Sequence, residues 1–256
     1  MTEPGQSQTP QTLLVALAHP DDEVGMVAAM RAQVERGDRV VLLWLTRGEM
    51  TEALGPIPAE EIIRRRTEHG RIAGEILGVE TRFLDFPDTG VQATPEAAAR
   101  VARVIAEVEP DAVLTWGYAW RRGLRHPDHQ ATGQIVRDAI TLARIKRCVH
   151  PLSPNRKPVP VFTYRDRHSQ LPALAIDATP YREKIRELAR HYQRELEFPD
   201  PDWLEDRLRA IGRHWDLEMA EEYDAWETRG GIVKSLLPVE IQGPPDHPER
   251  TREETL

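Results

Sequence analysis

Cysteine is almost missing from this chain: Cys148 is the single one among 256 residues. One thiol cannot close an internal disulfide, and a reducing cytoplasm is the expected setting. Long apolar runs are missing too. None approaches the roughly 20 residues needed to span a bilayer. The opening MTEPGQSQTPQ lacks the basic start and apolar stretch of a signal peptide. A soluble cytoplasmic protein with no membrane partner is therefore expected. Basic charge is in deficit: 34 Lys and Arg against 42 Asp and Glu leave a net charge of −8. A sequence-independent grip on nucleic acid needs the opposite balance, so no nucleic-acid partner is expected. Glycine-rich phosphate loops are absent as well. Gly25 stands alone after the first apolar run, with neither a G-x-G-x-x-G nor a Walker A pattern. This weighs against a non-catalytic nucleotide-binding module.

What is present has an ordinary globular composition, 40% hydrophobic and 30% charged, in a chain long enough to bury a sizeable core. Residues 1–11 predict a disordered lead-in and 238–256 a loose tail, with a single α/β domain over 12–237 between them. Apolar runs predict strands at Leu13–Ala18, Val40–Leu45, Arg82–Leu84 and Ala112–Trp116. Helical spacing predicts helices at Val24–Arg36, Ala59–Leu77 and Pro95–Glu109, followed by the stop signals Gly37, Gly78 and Pro110. The first two strands are wholly apolar, as strands covered on both faces are. This alternation predicts a doubly wound, Rossmann-like α/β sheet, mostly parallel, with helices on both faces. Further on, a helix is expected over about 128–146, strands at VFTYR and ALAID, and a helix from Pro180. Residues 202–229 read as more amphipathic helix, with Trp203, Leu208, Ile211, Trp215, Met219 and Trp226 on its apolar side. A C-terminal helical extension over about 180–230 follows, packed on the core or on a neighbouring subunit; a homo-oligomer is expected.

The stretch LLVALAHPDDEVGM, residues 13–26, leaves its apolar run abruptly for a histidine and three consecutive acids. In open α/β sheets ligands bind beyond the carboxyl ends of strands, which is where His19 to Glu23 fall. A second group, His126-Pro127-Asp128-His129, follows the fourth strand. Two His/Asp groups at one sheet edge form a candidate metal site, because imidazole and carboxylate oxygen both ligate Zn²⁺. Helix capping would explain one Asp in each group, but not two histidines and the adjacent acids.

AHPDDE with a later HPDH resembles the PIG-L/LmbE-like family of metal-dependent N-deacetylases, over roughly residues 12–200. LTRGE, LGV, FPD and KIRELARHYQ give weaker support. Members of that family remove the acetyl group from N-acetylglucosamine-type sugars, including precursors of mycothiol and bacillithiol. The resemblance implies that His19, Asp22 and His129 hold one metal ion per chain, Zn²⁺ or Fe²⁺, and that Asp21 is the general base. Zn²⁺ can lower the pKa of its water from 15.7 to about 7, and a free carboxylate beside it can take the proton. His126 would stabilise the oxyanion or protonate the leaving amine, with Asp128 orienting it. Glu23 is expected to be structural.

For substrate contacts, the resemblance points to an arginine at either Arg65 or Arg66, and to Asp88 for a sugar hydroxyl. His191 and Gln193 match a His-x-Ser-Gln pattern in which Tyr192 replaces the serine. His69, His150, His168, His214 and His247 are read as surface or structural. The small-molecule partner implied is an N-acetylated sugar or conjugate. A metal-dependent amidase acting on a non-sugar amide remains the alternative, since metal ligands specify hydrolysis and not the acyl donor. Loops at 117–125 and 150–172 are expected to read the rest of the substrate.

Overall fold

The computed structural model describes residues 9–117, 126–166 and 169–241. Most of the lead-in and tail, most of the loop at 117–125, and His168 and His247 lie outside the described residues. Strands β1 (Thr12–Leu17), β2 (Arg39–Trp44), β3 (Glu80–Phe83), β4 (Ala112–Trp116) and β5 (Val161–Tyr164) form a parallel block in the order β3-β2-β1-β4-β5. Between them run α1 (Val27–Glu35), α2 (Ala59–Leu77), α3 (Pro95–Val108), α4 (Pro127–Ala143) and the short α5 (Lys146–Val149). The continuous apolar run of β1 has the predicted consequence. Leu13 to Ala18 are all 0% exposed, because alternate side chains enter cores on opposite faces of the sheet. Leu13, Val15 and Leu17 meet α1 and α2; Leu14 and Ala16 meet α3 and α4.

Element boundaries follow local chemistry. α2 occupies its predicted span and stops at Gly78, whose φ of 71° suits a residue without Cβ. α3 starts on Thr94, whose side chain accepts the Ala97 N–H, and has Pro95 in its first turn. The first predicted helix divides: Asp22–Gly25 is a 3-10 turn, and α1 proper begins at Val27. The turn is a consequence of the site described below.

The C-terminal third departs from expectation. Strand β6 (Ala173–Asp177) and α6 (Arg182–Leu196) lie close to their predicted places, and α7 covers Asp202–Gly212. Helix does not continue to residue 229. Strand β7 (Ala220–Ala225) instead runs antiparallel between β5 and β6, and β8 (Gly231–Val233) adds to β6. Its sequence, AEEYDA, hides a strand because two of its acids are buried with partners. Glu221 accepts the Ala28 N–H at 2.7 Å, the Ala29 N–H at 2.9 Å and the Tyr223 hydroxyl at 2.6 Å, capping α1 from across the sheet. Asp224 pairs with Arg165. Burial and these partners cannot be read from apolar periodicity. Among the described residues no helix is long and apolar enough to cross a membrane.

Candidate active site and metal centre

β1 and β4 are hydrogen-bonded neighbours, yet the helices that follow them cover opposite faces of the sheet. The chain therefore parts at their carboxyl ends and leaves a crevice. A cleft of about 360 Å³ opens there, lined by His19, Asp21, Asp22, Arg66, Asp88, His126 and His129, with Gly48, Met50, Thr51, Thr89 and Phe198.

His19 is the hub. Its Nε2 lies 3.0 Å from Asp88 Oδ1 and 3.1 Å from Asp128 Oδ2, while Nδ1 lies 3.8 Å from Asp22 Oδ2. Burial opposes a charge on this ring, but the Asp128, Asp22 and Asp88 carboxylates overcome it and push the imidazole up to about 12. Asp22 accepts the Ala18 and His19 N–H groups, each at 3.0 Å, and the Trp116 indole N–H at 3.3 Å through Oδ2. Its other oxygen is 3.0 Å from His129 Nε2. Burial alone would raise the Asp22 carboxyl; the His129 and His19 rings hold it well below the usual range. Trp116 also stacks on the His129 ring, centroids 4.1 Å apart and planes 7° from parallel. Gly133 permits this approach of α4 to β4, since a Cβ there would stand 2.3 Å from the Trp116 carbonyl oxygen.

Asp21 differs from its neighbour. Its φ of 126° is rare for a residue with a side chain, and such strain costs about 1–3 kcal/mol where it persists. Three contacts hold it. Its N–H donates to Glu23 Oε2 at 2.9 Å, and Arg66 Nη2 donates both to its Oδ2, at 2.8 Å, and to the Pro20 carbonyl. Burial raises the Asp21 carboxyl, while the Arg66 charge opposes that rise. Glu23 in turn accepts from the Trp44 indole and the Tyr192 hydroxyl, so the carboxylate read as structural braces the turn from beneath. Gly48 of LTRGE has a specific reason to be glycine. It has a φ of +66°, and a Cβ there would sit 2.6 Å from Arg66 Nη2.

The two arginines left open as substrate contacts lie in different surroundings. Arg66 is buried and lines the cleft; Arg65 has its side chain 46% exposed and pairs with Glu61 on the outer surface of α2. Asp88 reaches the cleft, but its oxygens also meet His19 and the Met50 N–H. Asp128 was expected to orient His126. Its carboxylate turns to His19 instead and is clasped by the Thr89 and Val91 N–H groups at 2.7 and 3.2 Å. What touches His126 is the Asp128 backbone N–H, which donates to Nδ1 at 3.2 Å, so the ring proton of a neutral His126 belongs on Nε2. Burial, then the charges of His19 and His129, lower its pKa below the ordinary value, where an Asp128 partner alone would raise it. His191, on α6, approaches the His69 carbonyl at 3.1 Å behind Arg66 and does not line the cleft. His69 is buried, whereas His150 and His214 are exposed.

The donor set suits a divalent cation. Four carboxylates, those of Asp21, Asp22, Asp88 and Asp128, gather around three imidazoles and one guanidinium. Ligand atoms of His19, His126 and His129 lie within 4.8 Å of one another, as do those of His19, Asp88, His126 and Asp128. Asp22 belongs to neither group, although it touches both His19 and His129. With Nε2 of His19 held by Asp128 and Asp88, its Nδ1 is the nitrogen on the Asp22 side, an orientation a carboxylate–imidazole–metal relay uses.

Comparison with known proteins agrees with this chemistry. The pattern of the PIG-L family, described as GlcNAc-PI de-N-acetylase, matches residues 14–140. A diacetylchitobiose deacetylase of Thermococcus kodakarensis is 29% identical over 215 residues, 80% of this chain and 78% of that one. A probable N-acetyl-alpha-D-glucosaminyl L-malate deacetylase 2 of Bacillus anthracis is 30% identical over 202 residues, 71% of this chain and 86% of that one. Among solved structures, the N,N'-diacetylchitobiose deacetylase of Pyrococcus horikoshii shares the fold at a TM-score of 0.75 and 20% identity, covering 84% of both chains. The 4-carboxy-2-hydroxymuconate hydratase GalB of Pseudomonas putida also shares it, at 0.71 and 21%, covering 86% of this chain and 97% of that one. The fold alone thus supports more than one reaction.

Proposed function

The chain belongs to the PIG-L family, and from that premise we propose that it hydrolyses the N-acetyl group of an N-acetylglucosamine-type sugar or sugar conjugate with the help of one divalent metal, zinc in the first instance. The observation that carries the reading is the division of labour between adjacent carboxylates. Asp22 is turned into the histidine cluster, and Asp21 is turned away from it onto Arg66. His19, Asp22 and His129 would hold the ion. A bound divalent cation supplies Lewis-acid polarisation and a water acidic enough to lose a proton near neutrality. Asp21 is then the group free to accept that proton, and the Arg66 guanidinium keeps it an acceptor. His126 lines the cleft; with its ring proton on Nε2 it can donate a hydrogen bond to the oxyanion, and the proton that Asp21 has taken can then pass to the leaving amine. Asp128 fixes the His19 ring rather than His126. Arg66, with Asp88 beside it, is the candidate for contacts to sugar hydroxyls. A small-molecule substrate in a homo-oligomeric cytoplasmic protein completes the proposal.

The test is amine release from a panel of N-acetylglucosamine, its glycosides and non-sugar acetamides by metal-loaded protein, with metal content assayed on the same samples. Turnover confined to the sugar amides supports the proposal. Turnover confined to non-sugar amides would move the assignment to an amidase with the same metal chemistry.

A further inference from the structure

A second cavity of about 170 Å³ adjoins the catalytic cleft, and Asp21, Asp22 and Phe198 line both. Its remaining wall is of a different kind: Trp116, Tyr164, Trp203 and Leu204, with Gly25 beneath and Arg207 at its edge. Roughly 150 Å³ of apolar cavity is enough to take benzene, so one flat ring fits this space. Gly25 leaves room for Tyr164, whose hydroxyl would be 3.1 Å from a Cβ at that position. Trp203 has its indole N–H sealed from water with no acceptor among the described residues, so its contribution to the wall is the ring. Arg207 lies over the Tyr164 ring, its guanidinium carbon 5.2 Å from the centroid, and no ion pair of it is seen among the described residues. Other arginines nearby on α7 and α6 are tied to carboxylates: Arg209 and Arg182 both bind Glu205. Arg207 is thus a cation over an aromatic wall, beside the reacting centre.

Resting on the deacetylase reading, we propose that this cavity is the subsite for the group joined to the amino sugar, and that it selects a planar ring carrying an anionic substituent. The ring would stack among Tyr164, Trp203 and Phe198, and its anion would pair with Arg207.

Three N-acetylglucosaminides separate the possibilities: phenyl, 4-carboxyphenyl and 4-(aminomethyl)phenyl. Each is measured for kcat/KM with metal-loaded protein and, on the same samples, for affinity by calorimetry. The wild-type chain should prefer the carboxyphenyl over the aminomethylphenyl glycoside by about tenfold or more, or about 1.4 kcal/mol. Arg207→Ala should erase that preference, Arg207→Lys should keep part of it, and Arg207→Glu should reverse it. A preference absent from the wild type, or unchanged in Arg207→Ala, overturns the subsite. If no glycoside turns over but calorimetry shows the preference depending on Arg207, the deacetylase reading fails and the subsite stands.

Discussion

Glu205 and Asp22 are both carboxylates sealed from water, with side chains 1% and 6% exposed, yet they belong to clusters of different charge balance. Around Glu205 the cations and acids nearly match. Arg182, Arg186 and Arg209 all bind it, and Asp202, Asp206 and Glu218 meet those arginines at the rim. Burial would raise the Glu205 carboxyl, but the Arg182 and Arg186 hydrogen bonds outweigh it and hold it at about 2. In the cleft the acids are in excess, with Arg66 alone against four aspartates, and His19 is driven up to about 12. A cluster that closes on its own partners is complete as a structural tie between α6 and α7. One that leaves acids crowding an imidazole is complete only with a further cation.

The largest effects should come from breaking the unbalanced cluster. His129→Ala removes the proposed ligand beside Asp22 and should lower metal content well below one per chain. Activity should fall beyond roughly 10⁴-fold, the upper end of what a general base alone contributes. Undiminished metal in that variant would count against His129 as a ligand. Asp21→Asn should retain the metal, because Asp21 faces Arg66, and lose about 10²–10⁴-fold in kcat. Near-normal kcat at full metal occupancy would remove the base assignment.

The cleft side of this contrast was legible in the sequence and the Glu205 side was not, for physical reasons. The apolar runs of β1 and β4, with a His/Asp group directly after each, located the crevice because strand and helix periods are local properties. Which carboxylate touches which imidazole is not local. Asp128 lies two residues from His126 but is bonded across the cleft to His19, 109 positions away. Trp116, read only as the end of a strand, proves to clamp both Asp22 and His129. The Tyr192 that departs from the family pattern reaches Glu23, which holds the Asp21 turn. β7 escaped notice for the same reason: its acids are strand residues only because α1 and Arg165 supply partners from elsewhere in the chain.

The balanced cluster should respond to pH and not to metal. Glu205 has its pKa depressed in the folded state, to about 2, against about 4.3 in an unfolded chain. Its contribution is therefore present above about pH 4.3 and is lost as pH falls toward 2. Arg182 and Arg209 are 41% and 34% exposed, so solvent screens the ties. Glu205→Gln should thus cost about 1–2 kcal/mol at pH 7. Urea unfolding at pH 7, 4 and 2.5 should show the gap to wild type narrowing with acid. A gap independent of pH would mean that the tie does not depend on ionisation of Glu205.

The smallest effect contrasts two adjacent residues of α2. Arg65 and Arg66 are indistinguishable in the run Arg64-Arg65-Arg66, but a helix turns successive side chains by about 100°, sending one outward and one into the cleft. Arg65 gains a single exposed contact with Glu61, which Arg64 also binds, so Glu61 keeps a partner when Arg65 is removed. Exposed pairs of this kind are worth about 0.2–1 kcal/mol. Arg65→Ala should therefore leave kcat/KM within about twofold and stability within that range. Arg66→Ala removes the donor to Asp21 Oδ2 and to the Pro20 carbonyl, freeing the strained turn. Losing hydrogen bonds to a charged group at a buried site costs about 1.5–3 kcal/mol, or roughly 10- to 150-fold if all of it falls on the transition state. Parallel kinetics of the two variants on one glycoside read the difference directly. Equal losses would show that the whole basic run acts through its charge, and that Arg66 has no role of its own at Asp21.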